Sequence, residues 1–232
     1  MAESSDTLKK IEVRLSRRAR RRRIEVRSDG VTVVGPVGDS PGALRRLARR
    51  KRKWILRRQD ELRRREERLQ RLISYRPVQG CQLPFRGRRL PISIRVCDGP
   101  ARAEMAEGLV VHAPRGASED ELRAVIDGWL AERLLEEGQR LVRVYARRLG
   151  VPPAPVRVRD MRTRWGSLGS TGRLTLNLRL AHLPAWTWEH VTAHELCHCR
   201  IRNHSAEFYR LLWSVLPEEI PRVRRLERAL GA

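Results

Sequence analysis

Alternating apolar and polar positions open the chain. They have the period of two residues that is typical of a half-buried strand, and Ser28-Asp29-Gly30 supplies a turn before the last segment. The apolar positions of the three segments are Ile11, Val13 and Leu15, then Ile24 and Val26, then Val31 and Val33. This pattern predicts a small antiparallel hairpin or meander.

A helical spacing replaces the alternation between Pro41 and Ile73. Leucine and isoleucine residues form an apolar stripe, and Arg, Glu and Gln fill the positions between them. The stripe consists of Leu44, Leu47, Ile55, Leu62, Leu69 and Leu72. We therefore predict one long basic helix, with Trp54 as the candidate position of a break.

The rest of the chain mixes short strands with helices. A turn-rich linker at 76–80 precedes two strand-like runs, Leu90–Val96 and Gly108–Ala113, and a helix is predicted from Ser118 to Leu149-Gly150. Two further alternating runs follow, separated by a loop with three glycines, and the region from Pro184 to Leu230 is predicted to be helical. The two runs contain Val156 and Val158, then Leu174, Leu176, Leu178 and Leu180; the loop contains Gly166, Gly169 and Gly172.

These elements predict an α+β fold, and 232 residues suffice for one substantial core with a smaller N-terminal module. We place the hairpin or meander and the basic helix in residues 1–76. Residues 77–232 are predicted to form the second domain, a small sheet with several helices.

A candidate metal site lies in the segment His194-Glu195-Leu196-Cys197-His198. Histidines four residues apart on a helix share one face, about 5 to 6 Å apart at Cβ, from which both can bind one ion. In this pattern the histidines are ligands of Zn²⁺, and the glutamate takes a proton from the metal-activated water as general base. The alternative, a pair of surface histidines beside a solvated glutamate, fits poorly because the preceding Val191-Thr192-Ala193 is largely apolar.

His204 is the predicted third ligand, since a catalytic zinc usually has three protein ligands. It follows His194 by ten residues, the metzincin spacing, although Ile201 occupies the position of the metzincin glycine. The helix must end between His198 and His204, and Asn203 is the predicted left-handed pivot before a new helix capped by Ser205. Three carboxylates remain competing third ligands: Glu207, Glu218 and Glu219.

Several sequence blocks accompany the metal motif in a fixed order. They are Ser16-Arg17-Arg18-Ala19-Arg20, Ser28-Asp29-Gly30, Trp54-Ile55, Asp160-Met161-Arg162-Thr163-Arg164-Trp165-Gly166-Ser167, Leu176-Asn177-Leu178-Arg179-Leu180 and Asn203-His204-Ser205. With these blocks nearly the whole chain resembles the YgjP-like metallopeptidases. It departs from the family pattern at Leu168, His190 and Tyr209, none of which is a predicted ligand.

The resemblance implies a zincin-like catalytic domain, a small sheet plus an active-site helix, related in plan to the WLM and SprT-like proteases. It implies that His194, His198 and His204 bind zinc, that Glu195 is the base, and that the substrate is a peptide or protein. Arg164 precedes a strand that borders the substrate cleft in zincins, so this arginine could contact substrate. Packing of Trp165 around a glycine turn explains the same block equally well.

The net charge of +23 adds a second class of function. Such a charge favours non-specific contact with nucleic acid through the basic N-terminal region, but a genome-wide preference for arginine explains it equally well. The alternative to a zinc metallopeptidase is therefore a nucleic-acid-binding or docking protein with a structural or vestigial zinc site. The first 30 residues lack a secretory signal, no segment is long and apolar enough to span a membrane, and four cysteines are few, so we expect a cytoplasmic protein with reduced thiols.

Overall fold

The computed structural model describes residues 11–162 and 164–216, and within them the chain divides into two units between Gln70 and Arg71. The described residues form three small sheets and five α-helices, which confirms the α+β class. The helical prediction beyond residue 216 lies outside the described residues. All four cysteines are free thiols, as predicted.

The first unit contains a three-stranded sheet of β1 (Ile11–Leu15), β2 (Arg23–Val26) and β3 (Val31–Gly35), in the order β1-β3-β2. Strands β2 and β3 pair antiparallel across the predicted turn, but β1 runs parallel to β3, so an all-antiparallel meander is wrong. Every residue of β3 is buried, whereas β2 includes polar Arg and Glu positions. The most apolar strand therefore occupies the centre, where it has a neighbour on both edges.

Two helices follow this sheet, α1 (Pro41–Arg50) and α2 (Arg52–Ile73). The Ser40 side chain caps α1 by accepting a hydrogen bond from the Ala43 amide, and a proline occupies the first turn, where its missing N–H is not needed. The predicted long helix is thus interrupted at Lys51, three residues before Trp54.

The second unit begins with a four-stranded sheet in the order β4-β5-β7-β6. Its strands are β4 (Gln82–Phe85), β5 (Arg88–Val96), β6 (Arg102–Met105) and β7 (Leu109–Ala113). The predicted runs correspond to β5 and β7, which pair in parallel. The sequence analysis did not predict β4 and β6, whose four-residue segments carry too little alternation to be recognised.

A tight turn at Arg86 and Gly87 joins β4 to β5, and both residues have positive φ, 51° and 76°. The Arg86 amide donates to the carbonyl of Ala181 across 2.9 Å, so this hairpin tip rests on the segment just before the metal-motif helix. A Cβ on Gly87 would lie 2.9 Å from Cγ of Pro184. The turn therefore needs glycine for both its backbone conformation and its close packing.

Helix α3 (Glu119–Leu149) packs on a third sheet, as predicted. Ser118 and Glu121 form a capping box at its start, and Gly150 ends it in the left-handed conformation. The third sheet has the order β8-β10-β9, with β8 (Val156–Arg159), β9 (Gly166–Leu168) and β10 (Leu174–Asn177).

Two details of this sheet differ from the prediction. The strand predicted through Leu180 ends at Asn177, because the Asn177 side chain accepts from the Arg179 amide and starts a 3-10 helix over Leu178–His182. The predicted glycine loop also contains a strand, β9, which is antiparallel to β10 at the edge of the sheet.

Helices α4 (Ala185–Cys197) and α5 (Ala206–Val215) complete the described unit. Within the part of the chain that the structure describes, no helix combines the length and apolarity needed to cross a bilayer.

Candidate metal centre

Helix α4 presents His194 and His198 one turn apart, with ring centroids separated by 5.1 Å. The helix ends at Cys197, and His198 is its C-cap residue. The spacing of the two histidines therefore gives the shared helical face that the sequence predicts.

The chain then turns back so that His204 meets the same face. The Nε2 atoms of His204 and His194 are 3.0 Å apart, and the rings of His204 and His198 are 4.8 Å apart between centroids. The helix ends before His204, as the sequence requires, but the predicted left-handed pivot at Asn203 is wrong. Among the described residues other than glycine, positive φ is confined to Arg86. Instead, amides of residues 199–201 bond to carbonyls of Leu196 and Cys197 and tighten the end of α4.

These three histidines form a compact set of possible ligands. One nitrogen from each ring can be chosen so that all lie within 4.8 Å of one another, and within the described ranges no other His, Cys, Asp or Glu group of three or more does this. Of the competing third ligands, Glu207 is not in the set, while Glu218 and Glu219 lie outside the described residues. Cys197 and Cys199 are also not in the set.

The orientation of the His198 ring and the neutral state of His194 suit a metal. Nδ1 of His198 lies 3.0 Å from the carbonyl oxygen of Ile201. Because a carbonyl can only accept, Nδ1 is the atom that carries the hydrogen in the neutral ring, which leaves the lone pair on Nε2. Burial, followed by the neighbouring histidines His190, His198 and His204, lowers the pKa of His194 to about 3. The His194 imidazole is therefore neutral and able to donate a lone pair at neutral pH.

Phe208, in the first turn of α5, packs against the rings of all three histidines. Its side chain is fully buried, and its ring centroid lies 4.9 Å from that of His194, 4.7 Å from that of His198 and 4.9 Å from that of His204. Ser205 caps α5 as predicted, accepting from the Phe208 amide. The apolar position four residues after His204 was the available sequence signal for this contact, which the sequence analysis did not use.

Glu195 lies beside the histidines and is held by the edge strand of the third sheet. The Leu168 amide donates to Oε2 of Glu195 across 3.0 Å. Burial raises the pKa of Glu195, and this hydrogen bond and the positive charge of Arg164 act in the opposite direction. Gly166 permits the close approach of the strand, because a Cβ there would lie 2.7 Å from Cγ1 of Val191 and 2.9 Å from Cγ of Glu195.

The loop before this strand is organised by Asn177. The Asn177 amide nitrogen donates to the carbonyls of Met161, at 2.7 Å, and Arg164, at 2.6 Å, and its oxygen accepts from the Met161 amide at 3.3 Å. The Arg164 side chain remains exposed. The described part of the Asp160–Ser167 block is therefore a fixed loop that leads into β9.

Two neighbours on α4 lie outside the ligand set. The His190 ring is one turn before His194, with centroids 6.1 Å apart, and it lies 6.2 Å from Trp213. Glu189 accepts a hydrogen bond from the Tyr145 hydroxyl at 3.1 Å. His190 therefore borders the three-histidine set without belonging to it.

One of three comparisons with known proteins identifies a family. The family model described as YgjP-like, metallopeptidase domain matches residues 20–229. Among solved structures, the crystal structure of the metallopeptidase zymogen of Pyrococcus abyssi abylysin matches with 25% sequence identity and a TM-score of 0.32. That match covers 42% of this chain and 92% of the other. A comparison with curated proteins finds no relative by sequence.

Proposed function

Because the chain belongs to the YgjP-like metallopeptidase family, we propose that it is a zinc-dependent peptidase. In this proposal His194, His198 and His204 hold the metal and Glu195 is the general base. The observation that carries the proposal is the convergence of three imidazoles within 4.8 Å, with a partly buried carboxylate from the same helix beside them.

Zinc suits the donor set better than a hard cation would. Three neutral imidazole nitrogens are typical zinc ligands, whereas magnesium and calcium prefer oxygen. When bound, zinc would act as a Lewis acid that lowers the pKa of water and polarises a peptide carbonyl. The hydrogen bond from His198 to the Ile201 carbonyl supports this use, since it orients the ring and makes Nε2 more basic.

Glu195 is suited to moving a proton. Its Oε2 accepts from the Leu168 amide, which leaves Oε1 to take a proton from the attacking water and pass it to the leaving amine. Burial raises the pKa of the carboxyl and so brings it closer to the neutral pH at which proton transfer in both directions is efficient.

The zincin-like arrangement is part of the same proposal. Helix α4 packs against β9 and β10 of the third sheet, and β9 is the edge strand nearest the ligand set. A peptide substrate is proposed to lie beside this edge, where Arg164 and the backbone of β9 offer hydrogen-bond donors.

The alternative, a structural zinc in a nucleic-acid-binding protein, is less well supported. Structural zinc sites are closed by four protein ligands, whereas catalytic sites have three and an open position. The described residues bring together three. The charge of the basic N-terminal unit does not decide between the two, since nucleic-acid binding and peptidase activity are compatible.

The metal assignment is tested by the zinc content of the purified full-length protein, measured by elemental mass spectrometry. We expect about one zinc per chain in the wild type and sharply reduced zinc in a His204→Ala variant that remains folded by circular dichroism. His190→Ala is the matched control, because that ring lies beside His194 but outside the ligand set. Equal zinc in both variants would exclude His204 as a ligand.

The catalytic assignment is tested by cleavage of a peptide library, followed by mass spectrometry. Zinc-loaded wild type is expected to cleave, and Glu195→Gln is expected to keep its zinc while losing at least about a hundredfold in rate. Glu207→Gln is the control, since this exposed carboxylate lies outside the ligand set. Full activity in Glu195→Gln would contradict the role of Glu195.

A further inference from the structure

A strongly basic surface in the first unit has no role in the proposed peptidase chemistry. Nine of the 20 residues between Asp39 and Asp60 are Lys or Arg, and none is acidic. From Asp60 to Ile73 the balance changes to five arginines and four carboxylates. There, Arg64 pairs with Asp60 at 2.9 Å. The excess positive charge is therefore concentrated on α1 and the first turns of α2.

The two helices place their apolar and basic residues on opposite sides. Leu44, Ala48 and Ile55 are fully buried in the core formed with the first sheet. At about 100° per residue, the side of the helix opposite these positions carries a stripe of cations spaced three or four residues apart. The stripe consists of Arg46, Arg50, Lys53 and Arg57, all exposed.

The stripe continues through the junction between α1 and α2. The Lys51 amide bonds to the Leu47 carbonyl at 3.1 Å, and the Ile55 amide bonds to the Lys51 carbonyl at 2.9 Å. A bond that spans four residues therefore reaches Lys51 from each side, and only this residue departs from helical geometry, with φ −94° and ψ 14°. The cations of α1 and α2 therefore form one row that is interrupted at a single residue.

Trp54 borders this row and is 46% exposed to solvent. It lies one helical turn after Arg50 and one turn before Arg57, so its indole ring has cations on both sides along the helix. Proteins that bind single-stranded nucleic acid combine large aromatic rings with cations, so that bases stack on the rings and phosphates pair with the cations.

We propose that this basic face, formed by Arg46, Arg50, Lys53, Trp54 and Arg57, binds single-stranded nucleic acid. Charge complementarity identifies a polyanion, and the exposed indole favours unpaired bases over a duplex, whose bases are already stacked. An anionic membrane fits less well. The apolar side of these helices is already buried in the unit's own core, so no apolar face remains to enter a bilayer.

The test measures binding of full-length protein to a fluorescent single strand of about 20 thymidines. One variant combines Arg50→Gln, Lys53→Gln and Arg57→Gln, and it is expected to bind at least about tenfold more weakly. The slope of its log binding constant against log salt concentration should fall by the amount expected for the loss of about two phosphate contacts. The control is a second triple variant, with Arg63→Gln, Arg64→Gln and Arg68→Gln, because it removes the same amount of positive charge from the half of α2 that contains the carboxylates. Equal losses in both would overturn the proposal in favour of net charge alone.

Trp54 is tested separately, with circular dichroism confirming the fold. Trp54→Ala is expected to weaken single-strand binding about tenfold, while Trp54→Phe retains most of it and duplex binding by either variant is unchanged. Unchanged single-strand binding in Trp54→Ala would overturn the proposal. So would binding of the wild type to vesicles of phosphatidylcholine and phosphatidylglycerol but not to the oligonucleotide. Neither outcome bears on zinc content or peptide cleavage.

Discussion

The backbone amide of Leu168 donates a hydrogen bond to Oε2 of Glu195, joining the edge strand of a sheet to the helix that carries the metal motif. These residues are 27 positions apart in the sequence. Their contact depends on Gly166, since a side chain at that position would meet both Val191 and Glu195. The carboxylate proposed as the general base is thus positioned by a strand that the metal motif does not contain.

Replacing Gly166 with alanine is expected to push β9 away from α4. The added Cβ would lie 2.7 Å from Cγ1 of Val191, so the strand must shift and the hydrogen bond to Glu195 is lost. We expect kcat on a cleaved peptide to fall about tenfold or more while zinc content is unchanged. Gly169→Ala is the control, because its Cβ would meet atoms only at 3.6 Å and beyond. Equal kcat values in the two variants would contradict this positioning role.

Asn177→Ala is expected to destabilise the second unit. The Asn177 side chain is 3% exposed, and it satisfies the carbonyls of Met161 and Arg164. Removing it leaves buried polar groups without partners, at a cost on the order of 3 kcal/mol in the free energy of unfolding. Urea denaturation measures the change. Asn203→Ala, at an exposed position, should change stability by less than about 0.5 kcal/mol; similar losses in both variants would refute the role of Asn177.

The two glycines inside α3 are expected to respond to alanine in opposite directions. Gly128 has no atom within 4 Å of a built Cβ, so Gly128→Ala should stabilise the protein by about 0.5 to 1 kcal/mol through helix propensity. At Gly138 the Cβ would lie 2.8 Å from Cδ1 of Leu176, which is fully buried, and 3.3 Å from Cγ1 of Val156. Gly138→Ala should therefore destabilise by about 1 to 3 kcal/mol. Thermal unfolding of both variants measures these changes in stability. Stabilisation by Gly138→Ala would contradict the prediction, because it would mean that the sheet shifts without cost to make room for the added Cβ.

His182 is expected to make stability depend on pH on the acid side of neutrality. Burial lowers its pKa, although its Nδ1 lies 2.7 Å from the Pro84 carbonyl, which acts in the opposite direction. Below about pH 6.5 the unfolded chain binds a proton that buried His182 resists. The contribution of His182 to stability is therefore full above that pH and is lost as the pH falls, by at most about 1.4 kcal/mol per pH unit.

A His182→Asn variant separates this effect from that of the other histidines. Asparagine can still donate to the Pro84 carbonyl but does not titrate. We expect the loss of unfolding free energy between pH 7.5 and 5 to be smaller in the variant than in the wild type, as measured by urea denaturation at each pH. Parallel pH profiles would exclude a contribution from His182.

Local patterns in the sequence were enough to predict several elements. The shared face of His194 and His198 follows from their spacing within one helix, and the caps at Ser118 and Ser205 follow from short-range hydrogen bonds. Strands β5 and β7 were predicted because their apolar runs are long. Strands β4 and β6 were not predicted, since β4 contains a proline, Pro84, and β6 has Met105 as its one large apolar residue, so neither shows an alternating pattern.

The contacts between distant elements depend on the tertiary structure and could not be predicted from local patterns. The sequence indicates that His204 must return to His194, but the tightened end of α4 brings it there, not a left-handed Asn203. The most apolar strand, β3, takes the central position and β1 runs parallel to it, and alternation within each strand reveals neither the order nor the direction. Likewise, no local pattern places the Leu168 amide on Glu195. The sequence by itself determined the candidate ligand types and the helical spacing of His194 and His198, because these depend on neighbours along the chain. The tertiary structure decided how the third histidine and the proposed base are held, because those contacts depend on packing between distant segments.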